Sequence, residues 1–138
     1  MGLLPDQNTK PQDVSFFKID EATYDPKTKE WGTDWLIANK NTSTVTLPSD
    51  IKSGMYIVRH EIIALHYAFR DNIQTKISGA QFYPQCINVK VTGSGTATPA
   101  GVKFPGAYNW RDPGILDNIY YTVNRYVSFC LLKTVRNI

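Results

Sequence analysis

Apolar, β-branched and aromatic residues gather in four runs along this chain: Val14–Ile19 (VSFFKI), Ser43–Leu47 (STVTL), Met55–Tyr67 (MYIVRHEIIALHY) and Ala80–Thr92 (AQFYPQCINVKVT). Clusters of Pro, Gly, Asn and Asp bound them, which is the punctuation of strands. A helix start is written at Asp112-Pro113-Gly114, where Asp can cap and Pro suits the first helical position, ahead of ILDNIYY. It predicts one or two turns. Short strands with so little helix predict an all-β, antiparallel sandwich or barrel.

In the last run Ile87, Val89 and Val91 alternate with Asn88 and Lys90, so the odd-numbered face is expected to be the core face. The same parity puts Gln81, Tyr83 and Gln85 on the buried side, where an amide and a phenol need partners, and makes Gln81 and Tyr83 project together. Pro84 has no N–H for a ladder, which predicts an edge strand or a bulge. From Gly93 to Gly114 the chain is rich in Gly and Pro and reads as a long irregular excursion; its aromatics Phe104, Tyr108 and Trp110 argue that it is ordered.

The 138 residues, 42% of them apolar, suffice for one domain with a real core. A net charge of +3 with scattered basic residues lacks the dense positive stripe that a phosphate backbone requires, so nucleic acid is not an expected partner. No apolar stretch is long enough to span a membrane, and MGLLPDQNTKPQ lacks the pattern of a signal peptide. Two cysteines, Cys86 and Cys130, leave the redox compartment open. Asn41-Thr42-Ser43 fits the N-glycosylation acceptor pattern.

The densest candidate chemistry is RHEIIALHYA, residues 59–68, which resembles the zinc helix of a hydrolase using His60, Glu61 and His66. On a helix, six residues leave the two imidazoles about 120° apart around the axis. On a strand they lie about 20 Å apart. Neither arrangement lets the two share an ion, and the Ile-rich run favours a strand, with Arg59-His60-Glu61 as a polar patch along it.

Taken together, SGMYIVRHEIIALHYA, GAQFYPQCINVKVTGSGTATPAGVKFPGAY and DPGILDNIY resemble the fungal cellulose-active lytic polysaccharide monooxygenases of auxiliary activity family nine, formerly classed as glycoside hydrolases. The resemblance runs from about Phe16 to Tyr121 with the segments in the family's order. It implies a secreted, monomeric antiparallel β-sandwich, immunoglobulin- or fibronectin-like with long loops. It also implies one copper ion, with which such enzymes oxidise β-1,4-glucan links in cellulose using oxygen or hydrogen peroxide and an external electron donor. Tyr83 matches the family's axial copper tyrosine, His66 the histidine beside the oxygen site, Gln81 the glutamine that hydrogen-bonds there, and Tyr120 an aromatic on the flat substrate face. His60 matches no such role and is read as structural.

The departures from the family shape the expectation for this chain. The family's copper brace needs two histidines, one at the mature N-terminus, whereas this chain begins Met1-Gly2 and its histidines are His60 and His66. The expected division is a residual loop at 1–15, a partial sandwich lacking its N-terminal strands at 16–121, and an atypical tail at 122–138. Cys86 matches a family cysteine whose disulfide partner lies in the missing part. The tail, where Val123-Asn124-Arg125 stands in place of a family Ile-Pro-Gly-Pro segment, suggests an unspliced intron, which sequencing the transcript would test. Phe69–Ile77 makes a longer connection than the family shows. The resulting expectation is a truncated, inactive form of a copper-dependent cellulose monooxygenase; the alternative is a non-catalytic carbohydrate-binding sandwich.

Overall fold

The computed structural model describes residues 1–6, 8–68, 79–120 and 128–129. Its centre is a three-stranded antiparallel sheet, ordered β1 (Gly2–Leu4), β3 (Gly54–Ala64), β4 (Gln81–Val91). A second pair joins β2 (Ala22–Thr23) to β5 (Ser128–Phe129), and α1 (Gly32–Ala38) is the one α-helix among the described residues. The expected all-β antiparallel class is therefore the observed one.

Strands β3 and β4 run eleven residues each in unbroken register, from Gly54 opposite Val91 to Ala64 opposite Gln81. Pro84 sits opposite Glu61 without a bulge, and within the described sheet β4 is an edge. That is where a residue lacking N–H is tolerated. Both faces of β3 are covered near its start. Tyr56 packs with Met1, Phe17 and Ile51 on one side, its ring edge-on to Phe17 at 6.5 Å, while Ile57 packs with Val14 and Phe16 on the other. A third cluster of Ile63, Leu65, Ala68 and Ile115 closes the far end.

Several sequence expectations change. Residues 1–15, expected as loop, contribute β1, because β3 needs a partner on that edge and Gly2 fits where a Cβ would lie 2.3 Å from a Val14 methyl. Val14–Ile19 forms only two isolated bridges, from Phe16 to Gly2 and to Val102, and Ser43–Leu47 is irregular, without a partner strand among the described residues. The helix expected after Asp112 is a single turn: Ile115 and Leu116 N–H groups reach the Asp112 carbonyl, but Gly114 at φ 87° leaves the right-handed region at once. The helix that does form, α1, is braced by the Asp34 carboxylate, which accepts from the Trp31 N–H at 2.7 Å.

The excursion after β4 is ordered, as its aromatics suggested. Ala97 bridges Ile51, and Val102 exchanges two hydrogen bonds with Phe16 at 2.8 and 2.9 Å. Of the expected tail, residues 128–129 form β5; the rest of it, Cys130 included, and the Phe69–Ile77 connection lie outside the described residues.

Candidate functional site

The antiparallel register sets the site. Ala64 opposite Gln81 and Ile62 opposite Tyr83 place both polar side chains of β4 on one face, two residues apart. There the Tyr83 hydroxyl donates to Gln81 Oε1 at 2.6 Å. The sequence parity foresaw the pairing but not its setting, for Tyr83 is 53% and Ile87 60% exposed, and Gln85 is exposed too. The reason is coverage: the Met1–Tyr56 cluster reaches Val89 and Val91 but not the first half of the strand.

His66 was expected on the strand and lies instead in the turn that follows it, half-buried, its ring 4.6 Å from that of Tyr67. The Tyr120 hydroxyl donates to the His66 carbonyl at 3.4 Å, which ties the exposed Tyr120 to this turn. Among the described residues the His66 imidazole makes no hydrogen bond to Gln81 or Tyr83. The site therefore consists of two neighbouring pairs at one end of the sheet. His60 lies on the same face as Tyr83, across from Gln85, in a shallow pocket lined by Trp35, Leu36 and Ser43.

Glu61 points the other way, which removes it from any shared site with His60. Its carboxylate is 2% exposed and accepts from Arg59 and, at 2.6 Å, from the Tyr108 hydroxyl of the excursion. Arg59 lies over the Phe104 ring at 4.5 Å and Tyr108 stacks on Phe82 at 5.2 Å. Beside this cluster opens a cavity of about 800 Å³ lined by Phe82, Cys86, Trp110 and Ile115 among others. Cys86 is exposed and unpaired among the described residues. The sequence signal for this network was the Arg59/Glu61 spacing on one strand face; its third member was out of sequence reach.

The order and spacing of these elements recur in known proteins. The model of Auxiliary Activity family 9 (formerly GH61) matches residues 5–128. The chain belongs to that family. The match extends the expected 16–121 in both directions and takes in the start of the segment expected as an atypical tail. Curated relatives include two lytic polysaccharide monooxygenases of the family from Geotrichum candidum. Form B is 54% identical over 117 residues, spanning 85% of this chain and 30% of its own length; form A is 51% identical over 116 residues, spanning 84% and 38%. Among solved structures, Cel61B of Hypocrea jecorina, titled a glycoside hydrolase family 61 member, superposes with TM-score 0.74 at 40% identity, covering 88% of this chain and 52% of that one. The extended catalytic domain of H. jecorina LPMO9A superposes with TM-score 0.72 at 42% identity, covering 85% and 46%. The chain thus spans about half or less of these relatives, and its fold is that part of their β-sandwich.

Family membership raises the question of copper. A copper site of nitrogen donors needs several imidazoles converging on one point. Here the whole chain has two histidines, one in mid-strand and one in the turn beyond, and no group of three or more His, Cys, Asp or Glu side chains converges among the described residues. The Met1 amine, the remaining nitrogen of interest, is turned inward and donates to the Phe17 carbonyl at 2.6 Å. The residues present do not by themselves make a copper site.

Proposed function

We propose that this chain carries the later part of a copper-dependent lytic polysaccharide monooxygenase acting on β-1,4-glucan links of cellulose, and that the 138 residues alone do not catalyse the oxidation. What carries the reading is the exposed Tyr83–Gln81 hydrogen-bonded pair beside the His66–Tyr120 turn, within a chain of this family. Gln81 holds the phenol of Tyr83 in one orientation, and Tyr83 would be the residue of this chain that faces a copper ion held by the rest of the domain. His66 is assigned to the oxygen-binding side and Tyr120, 65% exposed, to stacking on a glucose ring. The partners are cellulose or a related β-glucan, oxygen or hydrogen peroxide, and an external electron donor. The setting is extracellular, as a monomer, with neither nucleic acid nor membrane as partner.

A segment exchange tests this. Residues 5–128 replace the corresponding segment of a Geotrichum candidum relative, and the chimera is loaded with copper and given cellulose and ascorbate. Oxidised oligosaccharides are expected, lost on Gln81→Ala or Tyr83→Ala. A folded, copper-loaded chimera that releases none would refute the assignment. The 138-residue chain alone should show neither tight copper binding by calorimetry nor oxidised products.

A second reading, a carbohydrate-binding sandwich without catalysis, is favoured by the exposure of Tyr67, Tyr83 and Tyr120 near one end of the sheet. Retention of the chain on cellulose, abolished by Tyr120→Ala without loss of fold, would support it; an inactive chimera that retains cellulose binding would select it over the first.

A further inference from the structure

One motif remains outside the functional reading, Asn41-Thr42-Ser43, and the structure places it on a fixed, outward-facing turn. Three backbone hydrogen bonds close the C-terminal end of α1: Lys40 N–H to the Ile37 carbonyl at 3.0 Å, Asn41 N–H to Leu36 at 2.8 Å and Thr42 N–H to Asn39 at 3.0 Å. Lys40 and Asn41 both stand at φ 57°, and Asn tolerates this left-handed conformation better than most residues.

The two asparagines of this turn divide the work. The Asn39 carboxamide donates to the Thr42 carbonyl at 2.6 Å and is a structural part of the cap. The Asn41 side chain is exposed and has no hydrogen-bond partner among the described residues. After it, residues 42–48 belong to no helix or strand in the described structure. An acceptor tripeptide can therefore be approached from solvent without unfolding the helix or breaking a sheet. Trp35 and Ile37 of the adjoining helix are exposed as well.

We propose that Asn41 is an N-glycosylation site, used when the chain enters a secretory compartment. The donor class is a lipid-linked oligosaccharide diphosphate. The Asn41 Nδ2 forms a bond to the anomeric carbon, the bond from that carbon to the diphosphate oxygen breaks, and the lipid diphosphate leaves with the electron pair. The amide proton passes to a base of the transferase, and nothing is oxidised or reduced. Ser43 supplies the hydroxyl that the acceptor pattern requires. The proposal is independent of the monooxygenase reading, since it asks only for the turn after α1.

The test is translation of the full chain behind a cleavable leader in the presence of microsomes, together with secretion from yeast. One glycan is expected, removable by an amidase that leaves Asp at position 41 for mass spectrometry to detect. Asn41→Gln and Ser43→Ala should abolish it, Ser43→Thr should keep or raise occupancy, and Asn39→Gln should leave it in place. Microsomal modification precedes completion of folding, so a variant that folds poorly still reports. An unmodified Asn41 in both systems, or a glycan that survives Ser43→Ala, would overturn the proposal.

Discussion

The Tyr108 hydroxyl donates a 2.6 Å hydrogen bond to the buried carboxylate of Glu61, joining positions 47 residues apart. Glu61 is also paired with Arg59, whose guanidinium lies on Phe104, so a strand, an excursion and a charge pair meet at one carboxylate. The bond gives the Gly- and Pro-rich excursion a fixed place on the sheet, and thereby one wall of the cavity.

Tyr108→Phe isolates the contribution of that hydroxyl, because the ring stacked on Phe82 remains. A buried charged acceptor that loses one donor is expected to cost about 1–3 kcal/mol. Glu61→Gln should cost more, about 3–5 kcal/mol, since it leaves the Arg59 charge uncompensated in a part-buried setting where its Nε already has no partner among the described residues. Urea unfolding of the three chains measures both. Wild-type stability in Tyr108→Phe would show the bond to be energetically idle.

The excursion is pinned a second time at Gly101, where an added Cβ would lie 2.5 Å from the carbonyl oxygen of Phe16. Backbone must move to admit it, at the expense of the bonds between Phe16 and Val102. Gly101→Ala is expected to destabilise the chain by about 1–3 kcal/mol, the usual cost of overpacking. The thermal midpoint reports it, and an unchanged midpoint would show that the bridge is soft.

How much of this was legible follows from how local each feature is. Strands β3 and β4 could be read because eleven residues of branched and aromatic side chains leave little alternative, and the Gln81–Tyr83 pair followed from strand parity. The burial of that pair was misread because alternation says which residues share a face and not whether anything covers it. Strand β1 is three residues with a glycine, too short to carry a pattern, and exists because β3 offers an edge. Helix α1 starts at Gly32 behind Trp31, with its bracing carboxylate inside the first turn, whereas the stronger-looking start at Asp112 fails at Gly114. The Glu61–Tyr108 bond depends on topology, which no window of sequence holds.

Strand β4 presents Ile87, 60% exposed, and Tyr83 on one face, and its outer edge is unpaired among the described residues. Such an edge recruits other chains. The isolated chain should therefore associate as its concentration rises, and Ile87→Lys should suppress this while changing the unfolding free energy by no more than about 0.5 kcal/mol, the range usual for surface positions. Light scattering across a dilution series decides; equal association in both chains would place the sticky surface elsewhere.

The Met1 amine gives the chain a pH dependence of definite sign. Met1 is fully buried, and desolvation pushes its amine down from 8.0 to about 5, a smaller electrostatic contribution from Cys86 acting the other way. Between these values the folded amine is neutral while the unfolded one is protonated, so folding must expel a proton. The unfolded state binds more protons, hence stability rises with pH from about 5 to 8 and levels off outside that window. At about 1.4 kcal/mol per unit the span is a few kcal/mol at most. Unfolding titrations of the 138-residue chain with Met1 retained should show this slope. A chain with one glycine added before Met1, whose charge then stands farther out, should lose most of it. If the two chains give the same profile between pH 5 and 8, the amine is not desolvated and the inward turn of Met1 toward Phe17 is wrong.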